Sequence, residues 1–532
     1  MLISTMGCGP PMPLDPRGAA AAGAGSDGSD EGGDAAQAGA AQGGQAGGGG
    51  AGEAGAGSGQ GGRAGEGGEG AGAAGAGTGQ GGQAGEGGEG AGGAPGSPGL
   101  CPFQPGPSSV CASPKTVWEY YKCAPAWYEA RVAIGPGGDV WLAGSMPYMP
   151  PPPGVAWELG EWGITRMASP GSFLWARYFG DEWDPDQKKT FVQRAADFVV
   201  DDQGNAVLVG RFDGTLVIEN AEIPSAGGLD AFALSYGPGG LLRWVKRFGG
   251  AGDQRAERVA LSSSGHAVVL GTFEDGIDFG NVALAGQAPS NVFAAELDAD
   301  GQVVWSKRIG SGLNVTVAGL AVDGFDHMVI AGSFDGSAEL GGAPLKASDA
   351  DVFVAKLQTD GTHLWSKSFG EAGLQAAIDV ATGGADDIYL VGDFTGSVDF
   401  GCGPLLSAGA RDVFVTRLSP SGAAVWSRRF GGSDDDEAQQ VGADAAGRVL
   451  WRALLGQDWN NPPADLGCGA PNAENVVVAL DANGQHIWTQ ATGPVDNVHA
   501  YYFMGMAVSP SGRVAIARSV YHHDLGLKVL DP

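Results

Sequence analysis

The chain has 532 residues, including 97 glycines and 31 prolines, and its 60 acidic and 30 basic side chains give a formal net charge of -30. The first hundred residues hold ten acidic and two basic side chains, and the remainder is acidic as well. Such a surface repels phosphate backbones, which excludes nucleic acid as a partner, and no run of about 18 apolar residues is present to span a membrane as a helix.

The chain opens MLISTMGCGP. Thr5-Met6-Gly7-Cys8 has the small residues ahead of a cysteine that end a bacterial lipoprotein signal, shortened here to residues 1–8. Cys8 is therefore the expected lipid attachment site. The expected location is exported, in the cell envelope or outside the cell, with membrane contact only through that anchor.

Residues 9–100 are Gly, Ala, Ser, Gln and Glu with almost no aromatic or β-branched side chains, and GAGSGQGGRAGEGGEGAG from Gly55 returns nearly unchanged from Gly75. This composition cannot bury enough apolar surface to offset ordering, so a disordered tether is expected. About 90 residues of this kind give a mean reach of about 50 Å.

Residues 101–126 carry Cys101, Cys111 and Cys123. In an exported protein two of the three are expected to pair, with connectivity left open by the spacing. Cys402 and Cys468 stand in matching contexts, DFGCGP and DLGCGA, one repeat unit apart. That spacing predicts two separate thiols in turns.

From residue 127 to 532 a tryptophan recurs at Trp175, Trp244, Trp305, Trp365, Trp426 and Trp488, at intervals of 69, 61, 60, 61 and 62 residues. A period of this length marks a repeat architecture. Each unit shows four short β-patterned runs, clearest at residues 376–381, Ile388–Phe394, Asp412–Leu418 and 425–430. Four strands per 60 residues with turn residues between them describe a propeller blade. Runs such as IYLVG and VFVA, apolar on both faces, suit strands sandwiched between neighbouring blades. The fourth run alternates tryptophan with Lys or Arg, which fits an outer edge protected by charge.

The second-strand pattern occurs seven times but the in-phase tryptophan only six. The last unit lacks its fourth strand, and KTVWEYYK at residues 115–122 can supply it. The predicted fold is all-β: a seven-bladed β-propeller of four-stranded blades, closed into a ring by this N-terminal strand and preceded by the Gly/Ala-rich tether.

Fourteen residues before each tryptophan stands an acid or amide: Glu161, Asp230, Asn291, Asp351, Asp412 and Glu474. At the first residue of a strand these side chains accept backbone N–H bonds from the preceding turn. Phe232, Phe293, Phe353 and Phe414, two residues further on, read as core.

These phrases, V-x-V-x-G-x-F-x-G followed by D-x-F-V-A-K-L-x-x-x-G-x-x-x-W-S-K, resemble the bacterial SBBP family of seven-bladed β-propeller repeats. The resemblance runs over residues 115–532 and is strongest from Val192 to Gly431. It implies a propeller, commonly at the cell surface or lipid-anchored, and it brings no catalytic motif.

Chemistry is expected where the repeat is broken, in the first and last units. Tyr148, Trp157, Trp459, Tyr501, Tyr502 and His522 are the candidate ligand-binding residues, since exposed rings beside amides and imidazoles suit sugars or peptides. Asp434, Asp435, Asp436 and Glu437 form the candidate calcium site, without the spacing of an EF-hand. No catalytic residue and no other cofactor is expected. The reading is a monomeric, non-enzymatic, surface-tethered propeller that binds a polysaccharide or a surface protein; the alternative is a secreted polysaccharide hydrolase or lyase with carboxylates in the channel.

Overall fold

The computed structural model describes residues 114–122, 128–145, 162–169, 171–179, 193–456, 466, 475–492, 503–520 and 524–531. Among these residues every regular element is a β-strand. Seven antiparallel blades of four strands follow one another along the chain, the third extended to a six-stranded sheet by a hairpin of the fourth. Blade 1 comprises Tyr128–Ile134, Val140–Ser145, Trp162–Ala168 and Ser172–Phe179; blade 2 begins at Gln193, blade 3 at Gln254, blade 4 at Thr316, blade 5 at Gln375 and blade 6 at Glu437. Blade 7 comprises Phe503–Val508, Val514–Val520 and Asp524–Asp531, and its outer strand is Lys115–Lys122. That strand pairs antiparallel with the last one, from Lys115 opposite Asp531 to Lys122 opposite Leu525. The ring is thus closed by its two chain ends, as expected, which removes an open edge.

The blade interior rests on a pairing of glycine with phenylalanine. Gly210, Gly271, Gly332 and Gly392 on the second strands lie directly opposite Phe232, Phe293, Phe353 and Phe414 on the third. At Gly332 an added Cβ would stand 2.0 Å from the carbonyl oxygen of Thr316 and 2.7 Å from the Phe353 ring. The ring covers a backbone that no side chain could share with it. Blade 6 sets Ala453 opposite Val476 instead, so the glycine is absent where the phenylalanine is.

The tryptophans join one blade to the next. Trp175, Trp244, Trp365 and Trp426 donate their indole N–H to the carbonyls of Pro238, Ala299, Pro420 and Ala482, at 2.8 to 3.2 Å, in the hairpin turn of the following blade. A glycine of positive φ in each turn, at 240, 301, 422 and 484, lies against the indole face. Blade 3 departs from this pattern. Glu296 stands where blades 4 and 5 carry Lys356 and Arg417, and Trp305 turns its N–H to that carboxylate at 2.6 Å.

The basic residues of the outer strands, expected to protect the edge, also make specific contacts. Arg247 and Arg429 pair with Asp230 and Asp412 inside their own blades. Lys367 lies over the Trp365 ring and donates to the Gly422 carbonyl of the next blade at 2.6 Å. Arg247 stays exposed and Arg429 and Lys367 are half-buried, so these cations still face solvent along the edge while making those contacts. The strand-initial acids behave as expected: Asp230 and Asn291 accept N–H bonds from Ala226 and Gln287 four residues earlier, at 2.7 and 2.9 Å.

Four blades carry an element that the sequence pattern did not suggest, a small hairpin between second and third strands, at residues 215–224, 276–285, 337–346 and 397–406. Each buries apolar side chains such as Leu216, Ile277, Leu340 and Phe400. These hairpins lean on the preceding blade: Ser311 and Gly312 of blade 3 pair with Glu339 and Ala338 of blade 4, and Phe400 lies 5.1 Å from Phe369. They fill the wedge that opens between blades with distance from the axis.

Cys402 lies in the loop of the fourth of these hairpins and is disulfide-bonded, with a partner outside the described residues. The expectation of a separate thiol is corrected for Cys402. That expectation rested on spacing along the chain alone, which does not fix what a hairpin loop meets in the fold.

Candidate functional site

The inner strands line the channel, and each carries a register shift typical of a β-bulge near its middle. The residue after the shift is Arg131, Asp197, Arg258, Gly319, Asp379, Gln440 and Gly505 in blades 1 to 7. The five with side chains beyond glycine are half-buried, as befits groups facing a narrow lumen.

Most of these stations tie one inner strand to the next. Asp197 accepts the Val259 N–H at 3.1 Å, Asp379 accepts that of Val441 at 3.0 Å, and Gln440 both accepts from Met506 N and donates to Met506 O. Arg258 donates to the Ala318 carbonyl at 2.6 Å. Gly319 cannot supply an acceptor to blade 5, and its missing Cβ would lie 2.6 Å from Val380 N. Asp379 takes that N–H with its own Oδ1 at 2.9 Å, so both of its oxygens are used.

Opposite this ring, on the second strands, stand Ala143, Val209, Leu270, Ala331, Val391, Arg452 and Ala517. Six are buried and apolar, and the seventh is a buried arginine. Burial, and then the nearby Arg131 charge, push the Arg452 guanidinium down to about 9 and lower that of Arg258 too. Burial raises the Asp379 carboxyl against the opposing pull of Arg258 and Arg131. Arginines from blades 1, 3 and 6 and aspartates from blades 2 and 5 therefore meet in one low-dielectric space.

Two residues further along the second strand, Ser333 and Asp393 accept the N–H groups of Ala377 and Ala438 in the following blades, while Arg211 pairs with Glu257 at 3.0 Å. Burial pushes the Asp393 carboxyl up to about 7, the Ala438 N–H and Arg411 opposing it.

Of the residues singled out from sequence, Tyr148, Trp157, Trp459, Tyr501, Tyr502, His522 and Cys8 lie outside the described residues. The acidic run is described, and its side chains diverge. Asp435 and Glu437 both pair with Arg411, whereas Asp436 is buried and accepts the N–H groups of Gly432 and Gly456 at 2.8 and 3.0 Å. Burial raises the Asp436 carboxyl to about 6. Among the described residues no group of three or more His, Cys, Asp or Glu side chains is placed to hold a metal ion.

The channel ring escaped the sequence reading although its signal is there. Asp197, Arg258, Gly319, Asp379 and Gln440 lie 46 to 48 residues ahead of their blades' tryptophans, as polar or glycine residues inside otherwise apolar runs.

No family model matches the chain. It is 27% identical over 211 residues to the regulatory protein FlaEY of Caulobacter vibrioides, a match that covers 37% of this chain and 22% of that one. The chain thus spans about a fifth of the length of the curated relative it matches. Among solved structures, an ulvan lyase aligns at a TM-score of 0.42 and 10% identity over 78% of this chain and 94% of its own. A gluconolactonase from Xanthomonas campestris aligns at 0.30 and 13%, covering 64% and 100%, and an apocarotenoid oxygenase from Synechocystis at 0.37 and 10%, covering 77% and 88%. No functional conclusion rests on likenesses this distant.

Proposed function

We propose that the chain is a surface-displayed, non-enzymatic propeller of the SBBP repeat type, exported, anchored through Cys8, and binding a polysaccharide or a surface protein. The observation that carries the non-enzymatic reading is the use made of the buried carboxylates. Asp379, Asp393 and Asp436, whose proton affinity is raised by burial, each accept backbone N–H bonds that tie strands or blades together. Buried carboxylates that accept backbone N–H bonds hold the frame, a role that accounts for their burial without any reaction. The disulfide at Cys402 accords with an oxidising compartment outside the cytosol.

The test is an array of envelope polysaccharides and surface proteins probed with the full chain, with turnover measured on every hit. Saturable binding without cleavage supports the reading. Catalytic depolymerisation of a bound glycan would replace it with the hydrolase or lyase alternative. Anchoring is tested separately, by incorporation of labelled palmitate into the wild type and its loss in Cys8→Ser.

A further inference from the structure

We propose that the centre of the channel, where Arg131, Arg258 and Arg452 gather, is a binding site for a small carboxylate-bearing molecule. Arg452 is the first observation. Ala143, Val209, Leu270, Ala331, Val391 and Ala517 occupy the equivalent place in the other blades, so the frame itself asks for a small or branched apolar residue there. A guanidinium at that place loses hydration and lies near Arg131, a second positive charge. A cost of this kind, accepted once in seven equivalent stations, points to use rather than to packing.

Arg131 is the second. Its side chain is half-buried in the lumen, and among the described residues its guanidinium makes no hydrogen bond and no ion pair. Five N–H donors in a planar fork are therefore open to the lumen, in the geometry that matches a carboxylate. Arg258 uses Nε on the Ala318 carbonyl and one terminal nitrogen on the Glu257 carbonyl. Among the described residues its other terminal nitrogen has no such bond.

The charge balance is the third. The aspartates of the ring are already engaged: Asp379 by two backbone N–H groups, and Asp197 by one. Glu257 also acts on Arg258 but is paired with Arg211 at 3.0 Å, so among the described residues Arg131 keeps an uncompensated guanidinium in the middle of a chain of net charge -30. That exterior repels polyanions, whereas a small monoanion can enter, and a low dielectric strengthens its attraction to the arginines. An anion between Arg131, Arg258 and Arg452 would relieve their mutual repulsion.

The experiment is calorimetric titration of the full chain at neutral pH and low salt. The probes are D-glucuronate and acetate, with D-glucose as the neutral counterpart and inorganic phosphate as an oxyanion that is not a carboxylate. Saturable binding of both carboxylates and none of glucose is expected. Arg131→Gln and Arg452→Leu should each weaken it at least about tenfold. Arg452→Leu restores the repeat's own apolar residue, so it should keep or raise the melting temperature while binding falls. No saturable heat with either carboxylate, glucose or phosphate binding as tightly as glucuronate, or both variants binding like the wild type would each overturn the proposal. Should Arg452→Leu fail to fold, Arg131→Gln, which removes no hydrogen bond or ion pair among the described residues, decides alone. These outcomes are independent of any partner found on the propeller faces.

Discussion

Trp365 of blade 4 donates its indole N–H to the Pro420 carbonyl of blade 5 at 3.2 Å, and its ring lies flat on Gly422, whose φ is +73°. The contact has two parts, a hydrogen bond and a face that only glycine can approach. Trp365→Ala should lower unfolding stability by about 2–3 kcal/mol, below a fully buried case because the ring keeps some exposure. Trp365→Phe keeps the face and loses the bond, at about 1 kcal/mol. Gly422→Ala meets the ring at 2.8 Å in a left-handed backbone and should cost about 1–3 kcal/mol. Denaturant unfolding measures all three. Equal losses for the alanine and phenylalanine variants would show that the N–H carries the whole latch.

Gly392 and Phe414 give a coupled pair. Gly392→Ala places a methyl 2.5 Å from the Phe414 ring and 2.0 Å from the Ala376 oxygen, for an expected loss of about 2–3 kcal/mol. Blade 6 shows the tolerated alternative, Ala453 opposite Val476. Adding Phe414→Val to Gly392→Ala should therefore cost at least about 1 kcal/mol less than the sum of the single changes. Strict additivity would mean that the ring does not dictate the glycine.

The tryptophan period, the apolar runs and the spare strand at residues 115–122 were enough to read the blades, their number and the closure, because each depends on residue type at fixed spacing. Asp412–Leu418 was placed at both ends from the sequence, since an acid that caps the turn starts it. The accessory hairpins were not legible. Segments such as Ser397–Val398 and Leu405–Leu406 are two residues long and fold only because Phe369 of the neighbouring blade gives Phe400 a surface to cover. The channel ring was not legible for a related reason. Arg131, Asp197, Arg258 and Asp379 belong to four different blades, and only closure brings them together.

Closure itself has a direct readout. In hydrogen exchange, the alternate amides of Lys115–Lys122 that face Asp524–Asp531 should be protected along with that strand, with which they pair. Fast exchange of the first segment beside a protected second one would show that the ring is open in solution.

Cys402 offers a chemical test of the hairpin arrangement. Under non-reducing conditions a maleimide should leave Cys402 unmodified, and should modify it after reduction, as read by peptide mass. Reduction should also lower the melting temperature, because the cross-link restricts the unfolded chain. Modification of Cys402 in the unreduced folded protein would contradict the pairing.

Asp393 links stability to pH. Burial raises its folded-state value from 3.8 to about 7, even though its carboxylate accepts the Ala438 N–H. The folded state then holds the proton more tightly than the unfolded one. Its contribution to stability is full below about pH 4 and is lost as pH rises toward 7, with a slope of at most about 1.4 kcal/mol per pH unit for one proton. Asp436, raised to about 6 by burial, adds a contribution of the same sign in the same window. Asp393→Ser copies blade 4, where Ser333 accepts the Ala377 N–H at 3.0 Å, so the blade-to-blade bond has a precedent without a titrating group. The variant should lose less stability than the wild type between pH 4 and 7, leaving the shallower slope due to Asp436 and the other buried acids. Denaturant midpoints taken across that range measure it, and parallel curves for the two proteins would refute the assignment to Asp393.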